Sequence, residues 1–324
     1  PVEPQWAYPE SKAKTERVIA EHHGKIPYTI LQLAGLYDSE TAVPTLANQI
    51  ASIYERDTKS NLYAGDIHAG QALIHIEDLI TLVQKTIEKR NELPKEITLL
   101  AGESEVLSYH ELQQSIGKLI HGEKKWKTIS LPTPIAKVGS WLENKAEPFI
   151  PDQFDQGKKP FIKPFMINLA DDHYAIDISK AQRHLDWQPS HHIKTELPTL
   201  IASLKSDPSK WYQDNGLTLP EWMQASVDKH KNPEKLRLEF ENAYEKAHFK
   251  NLWAPFFNIA LGVWLLFSPF SLDYQSTWLE ITQVISGFIL STFAFISLSP
   301  HPDYRRARWV TAAVGMWLLF APLL

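Results

Sequence analysis

Tyr8 and Lys12 stand four residues apart in WAYPESKAKTERVI, residues 6 to 19. On a helix that spacing puts both side chains on one face, a turn apart. A free phenol ionises at a pH of about 10 and is a poor base at neutral pH. An ammonium one turn away stabilises the phenolate, and so does a positively charged nicotinamide ring. The tyrosine can then pass a proton to or from a substrate oxygen while hydride moves to or from the cofactor. The same two residues can equally be an exposed pair on an ordinary helix, and the pair alone favours that plainer reading.

Few other residues offer chemistry. The chain has 324 residues and no cysteine, so thiolate metal sites and disulfides are excluded. The doublets His22-His23 and His191-His192 make poor chelates, because adjacent side chains point apart, and no metal is expected. Asp171-Asp172-His173 falls in a loop without a matching partner motif. Basic and acidic residues number 33 and 38, a net charge of −5, and nothing suggests a nucleic-acid partner. Pro1 begins no signal-peptide pattern.

The elements that must position the pair follow along the chain. Pro9 to His22 reads as a helix, with Pro9 at a favoured first position. Thr29 to Leu33 is an apolar run of strand length closed by Ala34-Gly35. Ala72 to Ile76 is another, leading into a helix capped by Asp78 with Leu79, Ile80, Leu82, Val83 and Ile87 on one face. Glu96 to Leu100 is a further strand, ending before Gly102. Ser108 and Glu111 form the sequence of a capping box at the head of a helix from Tyr109 to His121. Residues 123 to 170 read as irregular and site-covering. Strands alternating with helices indicate an α/β domain with a parallel sheet.

Four pieces, in order, resemble the extended short-chain dehydrogenase/reductase family, the NAD-dependent epimerase/dehydratase group, over residues 5 to 205. Tyr8-Pro9-Glu10-Ser11-Lys12 matches its Tyr-x-x-x-Lys. TILQLAGLY matches the strand that ends beside the nicotinamide. GQALIHIEDLI matches a strand-to-helix turn whose aspartate is Asp78. DISKAQRHLDWQP, residues 177 to 189, matches a C-terminal signature in which Asp186 takes the place of a glycine. The resemblance implies a partial Rossmann-type α/β domain that binds NAD or NADP. It makes Tyr8 and Lys12 the catalytic pair, Lys12 also bonding the nicotinamide ribose, and it places Ala34, Gly35 and Leu36 near the nicotinamide ring. A plain strand end is the other reading of those three. No Gly-x-Gly-x-x-Gly run occurs anywhere. The resemblance therefore implies that the dinucleotide-binding half and the Ser or Thr of the triad lie upstream of Pro1, in a longer parent. Gln32 and Gln71 stand where many sugar-nucleotide members carry arginine. Neither neutralises a phosphate, which argues against a nucleotide-sugar substrate.

From Leu252 the composition becomes apolar. Leu252 to Leu272 carries no charge, and Trp278 to Leu298 and Trp309 to Leu324 read as two further spans, the last cut short. GVWLLFSP at 262 to 269 returns as GMWLLFAP at 315 to 322. This resembles the SPW-repeat family of small bacterial membrane domains, with a C-terminal truncation implied. Lys246, His248 and Lys250 precede the first span and Arg305, Arg306 and Arg308 the third, whereas only Asp273 lies between the first two. The positive-inside rule then puts the α/β domain and the Arg loop in the cytoplasm of a multi-pass protein of the bacterial inner membrane.

The expected organisation is an epimerase/dehydratase-like domain over 1–205, a partly helical connector over 206–250 and a transmembrane domain over 251–324. The expected function is a membrane-anchored NAD(P)-dependent oxidoreductase or epimerase, inactive in the absence of its upstream half. Its partners are a small-molecule substrate, plausibly lipophilic, and the lipid bilayer, with a homo-oligomer left open. The alternatives are an NAD(P)-binding regulator without turnover and a membrane assembly scaffold.

Overall fold

The computed structural model describes residues 7–123, 125–146, 166–167, 170–220, 222–224, 233–272, 276–299 and 305–320. The chain divides into two compact units, Pro1–Leu219 and Pro220–Leu324.

The first unit is built on parallel strand pairs. Helix α1 (Ala7–His22) leads into β1 (Tyr28–Leu33) and β2 (Gly35–Tyr37). Then come α2 (Pro44–Tyr54), β3 (Leu62–Ala64), β4 (Leu73–His75), α3 (Ile76–Glu88), β5 (Glu96–Ala101) and α4 (Tyr109–His121). The series continues through β6 (Ile129–Leu131), α5 (Thr133–Ala146), α6 (Ser179–Leu185), α7 (Ile193–Ser206) and α8 (Pro208–Asp214). β1 pairs with β5, β2 with β4 and β3 with β6, all parallel. Parallel neighbours need crossover connections, and the helices between the strands supply them.

Ala34-Gly35 does not end the strand as its composition suggests. The chain changes partner there: Ala34 N donates to Ala101 O at 2.9 Å and Gly35 N to Ala72 O at 3.1 Å. Gly102 lies behind the crossing, where a Cβ would come within 2.8 Å of the Ala34 Cβ and 2.6 Å of Ile176 Cδ1. Glycine is required by that close approach. The stretch after Glu123 is also more regular than its sequence suggests, since β6 and α5 form there. Residues 147–165 of that stretch lie outside the described residues.

Two apolar clusters hold the unit together. Ile74, Leu82, Ile97, Leu99 and Ala101 pack with Ala181, Leu185 and Trp187, laying α3 and α6 on the β4–β5 side. α2 buries Leu46, Ile50 and Ile53, in contact with α4. α7 and α8 add Leu200, Leu204, Trp211 and Tyr212 to the interior. The α4 capping box forms as its sequence predicts, Ser108 N and Oγ both donating to Glu111. The apolar face expected on α3 is narrower: Leu82 is buried and Leu79 packs, whereas Ile80, Val83 and Ile87 are exposed.

The helix cap of α3 is a correction. His75, not Asp78, is the N-cap, its side chain accepting from Glu77 N at 3.3 Å. Asp78 sits inside the first turn and reaches across to a loop after α6. Its Oδ1 accepts from Ser190 N and Oγ at 2.9 and 2.7 Å, and its Oδ2 from His191 N at 2.9 Å. Its backbone oxygen accepts from the buried Trp187 Nε1. Thus the third and fourth motif pieces lock together.

Asp186 closes α6 with φ +52°, the left-handed conformation. Glycine adopts it without a Cβ penalty, which explains the glycine of the related signature. Asp186→Gly is expected to stabilise the first unit by about 0.5–1 kcal/mol, the relief of the left-handed strain less some extra unfolded-state entropy. Pulse proteolysis in urea checks it, through a midpoint that rises.

The second unit consists of α9 (Pro233–Lys250), α10 (Trp253–Ser271), α11 (Thr277–Ile296) and α12 (Arg305–Phe320). α10 and α11 meet through glycines. A Cβ on Gly262 would lie 2.9 Å from Gly287 O and 2.7 Å from Ser291 N, and one on Gly287 would lie 2.7 Å from Gly262 O. Small residues let the backbones touch, as membrane helices do in place of a hydrophobic drive. Gly315, the repeat's counterpart of Gly262, has open space instead. At one end of the bundle, His248 shares a hydrogen bond with Leu298 O at 3.0 Å and meets Arg308 at Nδ1. Asp273, Ala321 and Pro322 lie outside the described residues.

Candidate functional site

Tyr8 and Lys12 come together on the first turns of α1. The Lys12 Nζ lies 5.3 Å from the centroid of the Tyr8 ring. Tyr8 is 64% exposed, so its hydroxyl is free to meet a ligand. Gln32 ties the helix to the strand, its Nε2 donating to both Glu16 carboxylate oxygens at 2.9 and 3.0 Å. Farther down, the rings of His23 and Tyr28 meet edge to face at 4.9 Å. α1 therefore runs back along β1. Lys12 lies one turn beyond Glu16, about 6 Å along the helix. Ala34 lies two residues beyond Gln32, about 7 Å along the strand. The pair thus stands at the level of the strand crossing at Ala34-Gly35. Ala34 and Gly35 are half-buried there and Leu36 is exposed.

Both glutamines have side-chain partners within the first unit. Gln32 serves Glu16, and Gln71 Oε1 accepts from Thr45 Oγ1 at 2.9 Å. His22 and His23 are also occupied locally, by Val18 O and Ile26 O, each at 3.0 Å. In the Asp171-Asp172-His173 loop, Asp171 accepts from Asp66 N at 2.9 Å. Asp172 accepts from the Tyr174 hydroxyl at 3.0 Å.

A second polar cluster has no signal in sequence spacing. Glu103 is buried and accepts from Ile193 N at 3.1 and 3.0 Å, fixing the start of α7. Burial raises its carboxyl above the usual range, and the Ile193 hydrogen bond only partly opposes this. Asp78 shows the opposite balance. Burial works to raise it, yet the hydrogen bonds from Ser190 and His191 outweigh burial and hold it below the usual range. Nearby, a cleft of about 450 Å³ is lined by residues of the β2–α2 loop, the β4–α3 turn, His191 and Glu196.

Comparison with known proteins gives three results. Residues 252–324 match the family model described as the SPW repeat domain. No curated protein matches the chain. Among solved structures, the chain is similar to an epimerase from Methanothermobacter thermautotrophicus, at 12% identity and a TM-score of 0.42, covering 63% of this chain and 50% of that one. It is similar to the dTDP-glucose 4,6-dehydratase DesIV from Streptomyces venezuelae, at 15% identity and a TM-score of 0.44, over 66% and 55% of the two chains. It is also similar to a UDP-glucuronic acid 4-epimerase from Bacillus cereus, at 17% identity and a TM-score of 0.43, over 63% and 54%. The chain spans about half the length of these structures. By its own strand pairing, in three parallel two-stranded ladders, the first unit is a parallel α/β fold, and the helical region that matches the SPW repeat domain follows it.

Proposed function

We propose that the protein is a membrane-anchored NAD(P)-dependent oxidoreductase or epimerase in which Tyr8 gives and takes a proton during hydride transfer. One observation carries the proposal: the Lys12 ammonium lies over the Tyr8 ring, on an open face level with the strand crossing at Ala34-Gly35. There the exposed phenol can meet a substrate oxygen, and the ammonium's N–H groups suit a ribose hydroxyl. Ala34 and Gly35 present little bulk to a flat ring, and the exposed Leu36 offers it apolar surface.

A lipophilic substrate is the finer part of the proposal. Gln32 and Gln71 carry no charge, and their side chains bond Glu16 and Thr45, so neither neutralises a phosphate. A thermal-shift screen with NAD(P) present tests this, comparing nucleotide sugars with sterol-, quinone- and isoprenoid-like alcohols. Stabilisation by the lipophilic alcohols is expected. Strong stabilisation by a nucleotide sugar alone overturns the substrate assignment.

Anchoring rests on α10 and α11. Both are long and apolar enough to cross a membrane, and only 22% and 28% of their most apolar windows are buried. Phe267, Phe270, Phe288 and Phe295 are exposed, as suits lipid rather than a soluble core. α12 is a shorter apolar helix over Ala307–Phe320. Basic residues flank the first and third helices, so the α/β domain and the Arg305–Arg308 segment are assigned to the cytoplasm. Reporter fusions after Leu272 and after Ser299 are expected to report opposite sides. Signals from the same side leave a buried hairpin in place of two spans.

A further inference from the structure

We propose that His75, Glu77 and His191 form a site for a zinc-class divalent cation at the mouth of the β4–α3 turn, with a coordination position open to the adjoining cleft. The three residues come from two distant segments, yet one ligand atom from each lies within 4.8 Å of the others. His191 Nε2 is 3.3 Å from Glu77 Oε2. Two ligands of a tetrahedral zinc, each at about 2.0–2.1 Å from the metal, stand at about that separation.

A second observation points the same way. On the other edge of the ring, His191 Nδ1 lies 3.3 Å from Asp78 Oδ1. The Asp78 carboxylate is otherwise held by amide and hydroxyl donors from the same loop. Ser190 Oγ also lies 3.1 Å from Nδ1; with the ring proton on Nδ1, turned to the Asp78 carboxylate, the Nε2 lone pair is available to a metal beside Glu77. A carboxylate behind a histidine whose other nitrogen is free is the arrangement that orients imidazole ligands and raises their basicity.

The cleft supplies the right field. Its lining includes Asp38, Glu40, Glu77 and Glu196 and no lysine or arginine, although Lys210 reaches in to pair with Glu40 at 2.7 Å. Loading requires one movement. The His75 and His191 rings are stacked, 4.2 Å apart and 22° from parallel, so a metal cannot lie in both ring planes. His75, which is buried, must rotate out of the stack, giving up the long 3.3 Å bond from Glu77 N and its edge-to-face contact with the Tyr37 ring at 5.2 Å. No reaction is assigned to the ion; it clips the loop after α6 to the head of α3 and leaves its fourth position to water or a ligand from the cleft.

Co²⁺ titrated into the purified full chain in detergent tests the site. The expected result is one equivalent bound with the visible absorption of a four-coordinate ion, displaced by Zn²⁺. His191→Ala is expected to weaken binding at least about 100-fold, and Asp78→Asn roughly 10-fold. Glu77 is exposed, so Glu77→Gln spares the fold and is expected to lose about 10-fold in affinity. His22→Gln, on α1, is expected to change nothing. The proposal is overturned if the wild type binds no more tightly than Glu77→Gln, or if the absorption band survives His191→Ala in a chain that melts as the wild type does. Neither outcome bears on the Tyr8–Lys12 proposal, because Glu77 and His191 lie outside α1.

Discussion

Tyr8→Phe is expected to cut turnover roughly 10²-fold or more, the loss that follows removal of a positioned proton donor. The assay uses the protein as its host makes it, with a substrate returned by the thermal-shift screen. The substitution takes away one hydroxyl. Tyr8 is exposed, so no packed core is disturbed, and the ring remains beneath the Lys12 ammonium. Cofactor affinity should therefore hold while turnover falls. Lys12→Met differs, because the ammonium is assigned both to the phenolate and to the ribose. It should lower turnover and cofactor affinity together. Wild-type turnover in Tyr8→Phe reduces the pair to two neighbours on a helix surface.

The largest stability effect is expected at Trp187. Its side chain is fully buried among Ile74, Leu82, Ile97, Leu99 and Leu185, and its indole N–H donates to Asp78 O at 3.1 Å. Trp187→Ala leaves a large cavity and is expected to destabilise the first unit by about 3–5 kcal/mol. The loop carrying Ser190 and His191 is held by the same corner, so it should loosen first. Pulse proteolysis in urea, read by cleavage within residues 1–219, measures both the midpoint and the site of first cutting. A midpoint within error of wild type contradicts the packing described.

What the sequence reveals and what it hides divide along physical lines. Capping at Ser108 and Glu111 is a local interaction, and it reads directly from four residues. The strands at 28–33 and 96–101 and the apolar helices of the second unit rest on runs of composition, and they too are legible. The change of partner at Ala34 is invisible, because it depends on where residues 72 and 101 lie. Asp78 misleads for a similar reason. Aspartate ahead of an apolar run is a good cap by type, but its carboxylate is drawn off by amide donors from residues 190 and 191. α3 shows the same limit: Ile80 and Val83 fit an apolar face by period, yet the sheet beneath covers only the Leu79 and Leu82 side. The proposed pair, Tyr8 and Lys12, is legible as a motif, whereas its exposure and its level against β1 depend on tertiary structure.

Titration of NAD(P)H fluorescence on the wild type, Tyr8→Phe and Lys12→Met tests the central claim most directly. It reads the cofactor against the pair without any need of the substrate. The prediction is saturable binding by the wild type and unchanged affinity in Tyr8→Phe. Lys12→Met should bind at least roughly 10-fold more weakly, as expected for loss of a charge-assisted hydrogen bond of about 1.5–3 kcal/mol. Equal affinity in all three proteins, or no saturable binding by the wild type, contradicts the assignment of Tyr8 and Lys12 to a nicotinamide site.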